Sequence, residues 1–422
     1  MQTSQTVIPS ASLESVSKTV FETVRRRLWL DLALAALIMV GGAFWYTHLR
    51  APLPDRLFTN ATQDAWFNAD LGPLTSELLT IREGDKGRST LHPMFPLVAG
   101  PIMHAMVLGA HISPALALYW FIGGVFSLWP ALLYACLRRV GLPMPDAAVF
   151  ACLGLASAGA TFFLAVPLYY GLGSITLMLA FWLVMAARHS SVPDRYMIAA
   201  SALSISMTVT SWMFGWIATL LRYPFRRAIQ TAVNGFAAMT FLWIIGHLYV
   251  PGSRFIGPTL FEKQFIYLPT VHRVLGVLAS FGGYSIVAPK AGPFVNVAGT
   301  PGRTFQDVLP ALDASLLLLV AWLVLLGVGA WSLYRSGDRF LARLLGCWLG
   351  AQLLLHIVYG EETFLYSLHW IPSLILVASC ACRRRMRVPI LIAAACLALA
   401  TGISNERRVQ EVVAELVAQG TL

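Results

Sequence analysis

Uninterrupted apolar runs, most of them about 17–25 residues long and several bounded by short basic clusters, constrain this chain more than any other feature. They begin with Leu28–Thr47, Met94–Ala110, Pro114–Leu137, Ala147–Val166 and Gly171–Ala187. They continue with Ala228–Val250, Ala311–Tyr334, Phe340–Tyr359, Tyr366–Ala381 and Val388–Gly402. A helix of about 20 residues crosses the hydrocarbon of a bilayer. Backbone amides there must be satisfied within the protein, so only helices and closed barrels span it. The runs are continuous rather than alternating, which selects helices. The expected fold is an all-α polytopic membrane protein of about 11 transmembrane helices, within a range of roughly 10 to 13.

Composition agrees. Of 422 residues, 57% are hydrophobic and 12% charged, against about 25% charged in a soluble globular protein. The net charge of +10 does not point to nucleic acid, because the cations sit in clusters at run ends. These are Arg25–Arg27, Arg138–Arg139, Arg226–Arg227 and Arg383–Arg385, the pattern of cytoplasmic span ends. All six cysteines lie in or beside apolar runs, so neither a disulfide framework nor a metal site is expected. The first run is too long for a cleaved leader and reads as an anchor with its N-terminus in the cytoplasm.

Three regions follow. Residues 1–27 form a cytoplasmic tail, with helical spacing over Leu13–Val24 that suits an interfacial helix. Residues 28–404 form one transmembrane domain with long loops at 48–93 and 251–310. Residues 405–422 form a C-terminal tail, with Val409, Val412, Leu416 and Val417 on one face of an amphipathic helix. The segment Arg195–Leu221 is apolar but interrupted by TVTSW, so it is either one span or two short ones. Counting from the basic clusters places both long loops and the turn GEETFLYS on one extracytoplasmic face.

That face carries the chemistry-bearing residues. Asp64 and Asp70 lie in the first loop, Asp70 within AWFNADLGPL. A carboxylate at a membrane face can act as a general base toward an attacking hydroxyl. Arg88 and His92 precede the second run, and Lys263 and Arg303 lie in the second loop. Cations there can hold a lipid-linked phosphate, Arg in bidentate fashion. Glu361, Glu362, Tyr366 and His369 fall in YGEETFLYSLHW, between two runs, where charge is costly unless solvated or paired. No P-loop, dinucleotide fingerprint or zincin motif is present.

The first loop, with Asp70, then Gly84-Asp85, then His92-Pro93 at the entry to the next run, resembles the GT-C class of integral membrane glycosyltransferases. That class includes protein O-mannosyltransferases and lipid A aminoarabinose transferases. The resemblance covers the plan of most of the chain through short motifs. Better-known members often carry Asp-Glu at the acid and Lys-Pro-Pro at the entry, where this chain has a lone Asp70 and HPMFP. The resemblance implies inverting transfer from a polyprenyl-phosphate sugar to a glycan, lipid or protein acceptor at the outer face of a bacterial inner membrane. Such donors need no nucleotide, so no cofactor is expected, and no metal is expected because the sequence shows no ligand cluster. Asp70, or Asp64, would serve as base. Arg88, Lys263 or Arg303 would stabilise the leaving phosphate, and Glu361 and Glu362 would position sugar hydroxyls. A transporter or flippase is the competing class, and a non-catalytic subunit of an envelope assembly machine is a third. Polar residues gathered at the external surface favour the enzyme. Polar residues lining a path through the middle favour transport.

Overall fold

The computed structural model describes residues 10–58, 65–71, 75, 78, 87–188, 193–257, 265–295, 299, 301–305, 314–383 and 386–422, with side chains placed from residue 25 onward except at 87, 88 and 383. The chain is an all-α membrane bundle that carries, among the described residues, one small antiparallel strand pair. Among the described residues, seven helices are long and apolar enough to span a membrane, or eight if one bent pair is a single span.

Helix α1 runs without a break over Ser10–Arg50, so the tail and the first span are one helix. Helix α2 (Phe95–His104) is short, contains Pro101, and unwinds into a π-turn at Ala105–Gly109. Helix α3 (Pro114–Arg139) starts with Pro at N1 behind a Ser113 cap, as a missing N–H and a hydroxyl acceptor favour. Helices α4 (Met144–Leu155) and α5 (Ala158–Phe163) are two pieces of one apolar run, and α6 spans Tyr169–Ala187. Helices α7 (Arg195–Ser206) and α8 (Trp212–Arg222) flank a break at Met207–Ser211, within TVTSW and one residue before it. Then follow α9 (Phe225–Tyr249), the amphipathic α10 (Val271–Ala279), the antiparallel strands β1 (Gly292–Val295) and β2 (Pro301–Thr304), α11 (Ala314–Arg335) and α12 (Arg339–Val358). A 3-10 helix at Thr363–His369 meets α13 (Ile371–Ser379) at a 60° bend. Helix α14 (Arg387–Ala418) is 32 residues long and carries the former tail as its last turns.

The expected count of about 11 spans is not met. Apolar character is continuous over stretches that the backbone breaks. Pro101 and the π-turn stop α2 at a length well short of a bilayer. The start of α3 sits against the end of α1, since Tyr119 packs on Tyr46 and bonds Thr47, so the chain re-enters from the same end. Helices α7 and α8 have 12 and 11 residues, about 18 Å each, against a hydrocarbon core of about 30 Å. They form a hairpin rather than two spans: Asp194 before α7 pairs with Arg227 at 2.5 Å and accepts from the Tyr223 hydroxyl at 2.6 Å just after α8.

The bundle has two chemically distinct ends. At one, ion pairs join the basic clusters to acids on neighbouring helices. Asp31 takes Arg138 at 2.6 and 2.9 Å, Asp146 takes Arg387 at 2.7 Å, and Arg188 meets Asp338 at 3.1 Å. Arg138 and Arg188 therefore lie with the other basic residues. At the opposite end the long loops and the GEETFLYS turn meet. Between the ends, small residues let backbones approach, as membrane bundles require. A Cβ on Gly329 of α11 would strike the backbone of Val377 and Ala378. Glycines 215 and 235 press α8 and α9 onto Ser201 of α7.

Candidate functional site

The loop end is knitted from segments far apart in sequence. Trp66 bridges Arg303 of β2, whose amide donates to the Ala65 carbonyl at 3.2 Å. Ile266 bridges Tyr359; Tyr267 and Gly360 complete that ladder with amide bonds of 2.9 and 3.0 Å. An aromatic plug of Trp66, Phe67, Phe162, Phe305 and Phe364 lies beneath, with ring centroids 4.6–5.7 Å apart. Edge-to-face and tilted contacts of this kind add to plain area burial.

Phe67 and Asn68 both have left-handed backbones, with φ of 51° and 57°. Two consecutive non-glycine residues in that region cost about 1–3 kcal/mol each, and such strain gathers at functional sites. The turn aims Asn68 at the opposite segment, where its amide donates to Glu361 Oε2 at 2.9 Å. Asp70 follows two residues later and is half-buried. Glu362 is 3% exposed; it accepts from the Thr304 hydroxyl and from the Phe364 amide. The fold thus brings Asp70's turn, Glu361, Glu362 and the β-hairpin to one face.

Arg303 is buried, with Nε 2.8 Å from Glu415 Oε2 on the last turns of α14. The contact is an ion pair rather than a well-aligned hydrogen bond, because that Nε–H has no acceptor in line. His92 is buried and stacked on Tyr169 at 4.0 Å. Its Nδ1 lies 2.7 Å from the Met207 carbonyl and 3.3 Å from the Thr208 hydroxyl. A carbonyl only accepts, so Nδ1 carries the proton. His92 therefore pins the α7–α8 break beneath the loops, helped by the Val209 and Met94 amides bonding to Leu91 and Ser206. Tyr366 packs on Tyr170 and His356; His369 is buried and also packs on Tyr170. Asp64 and Lys263 lie outside the described residues, as does the Arg88 side chain; the Arg88 backbone forms part of the 3-10 turn Gly87–Thr90.

Several participants carried no sequence signal strong enough to single them out. Asn68 sits inside the FNAD stretch, but a lone amide in a loop is common. Arg273 on α10 caps the C-terminus of α12, donating to the carbonyls of His356, Ile357 and Gly360 at 2.6–3.1 Å. It also lies 4.3 Å above the Tyr267 ring. Burial and the Glu361 carboxylate raise the pKa of the Tyr267 hydroxyl, while Arg273 acts against them. Glu415 was hidden in the tail. The polar pair Gln352 and His356 was masked by the apolar run around it, although an ionisable residue within a span is itself a signal.

Among the described residues no group of three or more His, Cys, Asp and Glu could hold a metal ion. Chemically, the loop end offers carboxylates, a paired buried guanidinium and aromatic surfaces at the rim of an apolar bundle. Neither protein-family models nor curated proteins match the chain.

Proposed function

We propose that this integral membrane protein is an inverting, GT-C-like glycosyltransferase. It moves a sugar from a polyprenyl-phosphate donor to an envelope glycan, lipid or protein acceptor. In this reading the basic end faces the bacterial cytoplasm, with the N-terminus, and the loop end faces outward. The observation that carries the reading is the meeting of the Asp70 turn, the Glu361–Glu362 turn and Arg303 at one end of the bundle.

The acceptor hydroxyl loses its proton to Asp70 while its oxygen bonds to the anomeric carbon. The bond from that carbon to the phosphate oxygen breaks, and polyprenyl phosphate leaves from the opposite side. Arg303 stabilises the charge growing on that phosphate, with Arg88 and Lys263 as further cations of the same loops. Glu361, preset by Asn68, and Glu362 hold sugar hydroxyls. The α7–α8 break within the bundle is the feature that favours transport instead, since interrupted helices line transporter sites.

The test follows labelled sugar from a polyprenyl-phosphate pool into envelope glycans and glycolipids, in membranes carrying wild type, Asp70→Asn or Glu361→Gln. Loss of transfer in Asp70→Asn at equal abundance supports the reading. Full transfer by Asp70→Asn removes that residue as base and moves the role to Asp64.

A further inference from the structure

Helix α12 presents Trp348, Gln352 and His356 at four-residue intervals, one face turned toward the bent pair of the 3-10 helix and α13. His356 lies 5.1 Å from Trp370 and 4.8 Å from Tyr366, centroid to centroid. Trp348 and His369 line one cavity of about 20 Å³, closed by Phe214, Met178 and Ser373. Gln352 stands between His356 and Trp348 on this face. Its exposure is 1%, and those of His356 and His369 are 2% and 3%. Both amide atoms of Gln352, both ring nitrogens of His356 and Nε2 of His369 have no hydrogen-bond partner among the described residues.

Even with the Tyr359 backbone close to one His356 ring nitrogen, so many buried polar atoms on two facing segments are not a tolerable dry arrangement. Each buried group left without a partner forfeits most of its hydration free energy, and together these would consume much of a protein's net stability. The chemistry of the donors limits what can satisfy them. Amide and imidazole present no net charge, so a bare cation or anion would lose its hydration without a counter-charge. Arg273, the nearby cation, is directed to three backbone carbonyls. The cavity at His369 and Trp348, of about 20 Å³, exceeds the roughly 10–15 Å³ that one water needs and is far below a sugar or lipid headgroup; Gln352 and His356 do not line it, so their water lies alongside.

We infer that water occupies this interface, forming a hydrated polar seam inside the membrane bundle that joins Gln352, His356 and His369. The seam opens toward the loop end at half-buried Tyr366, which packs on His356. It gives the 60° bend before α13 a hydrogen-bonded support that the apolar helix faces around it do not supply. The inference is independent of the proposed transfer reaction.

Hydroxyl-radical footprinting of the full chain in nanodiscs tests it, because radicals made from bound water modify the side chains beside that water. Trp348, Trp370 and Met178 should be modified several-fold faster than Trp129 and Trp322, which are equally buried but neither line that cavity nor touch His356. Equal rates would overturn the inference. In the double variant Gln352→Leu, His356→Phe the excess should vanish and the melting temperature should fall. A rise in melting temperature would mean that dry, unpaired groups had been removed, and would likewise overturn it. The wild-type comparison stands even where the variant does not fold.

Discussion

Asn68 offers the sharpest test of how the loop end is assembled. Its amide bonds the Glu361 carboxylate at 2.9 Å, and its backbone sits at φ 57°. Hydrogen bonds to charged groups contribute about 1.5–3 kcal/mol net. A left-handed residue with a Cβ costs about 1–2 kcal/mol, a cost that Asn lowers and Gly removes. Both partners are half-buried, which places the bond at the lower end of its range. Asn68→Ala should then destabilise by about 2–4 kcal/mol, from the lost bond and the restored backbone penalty. Asn68→Gly should destabilise by about 1 kcal/mol less, since only the bond is lost. Both variants release Glu361, so under the proposed transferase function both should impair sugar transfer to the same degree despite unequal stability. Unfolding in mixed detergent micelles measures the first quantity, and transfer in membranes the second. Equal stability of the two variants, each within about 0.5 kcal/mol of wild type, would refute the claim that Asn68 holds Glu361.

Other perturbations have definite outcomes. Asn405 is fully buried; it accepts from the Ala288 amide at 2.9 Å and donates to the carbonyls of Ala156 and Ile286 at 2.8 Å. Asn405→Leu removes the side-chain partner of the Ala288 amide and the Ala156 carbonyl, while the Ile286 carbonyl keeps the Ala158 amide, and should cost roughly 2–3 kcal/mol, read as a lower melting temperature. Gly329→Ala should cost about 1–3 kcal/mol, because the added methyl meets the backbone of α13 rather than a movable side chain. At the basic end, the Tyr223 hydroxyl and then Arg227 hold the Asp194 carboxyl below its usual pKa. The folded pKa is depressed, so this stabilisation is present above the unfolded pKa and disappears as pH falls through the folded value. Asp194→Asn should therefore flatten the loss of stability below about pH 4. A variant whose acid limb matches wild type would contradict this.

The sequence was most legible where physics acts locally. Runs of Leu, Ala and Val identified membrane helices, and basic residues at run ends such as Arg138 and Arg188 gather at one end through their ion pairs; Arg384 and Arg385 lie outside the described residues. The two long loops and GEETFLYS do meet at the other end, through the Trp66–Arg303 and Ile266–Tyr359 bridges. Span number was less legible, because hydropathy averages over breaks that sterics impose. Pro101 stops α2, the run after Met144 divides at Ala156–Ser157, and the segment after Arg195 turns back at Met207–Ser211. The candidate site was half visible. Glu361 and Glu362 stand out as adjacent acids between spans, whereas Asn68, Arg273 and Glu415 gain meaning only from partners up to 293 residues away. His92, expected to face a phosphate, bonds the Met207 carbonyl, whereas Arg303 joins the Asp70 turn at the loop end with Glu415 as its counter-ion, a partner the sequence does not reveal.

The most direct test of the central claim uses purified protein in proteoliposomes, given a labelled polyprenyl-phosphate sugar and a hydroxyl acceptor. Wild type should form the glycosylated product with inverted anomeric configuration, and Asp70→Asn should form none while melting at the wild-type temperature. Wild-type protein that forms no product with any such donor, yet moves the intact lipid-linked sugar across the bilayer, would contradict the account and establish the transporter in its place.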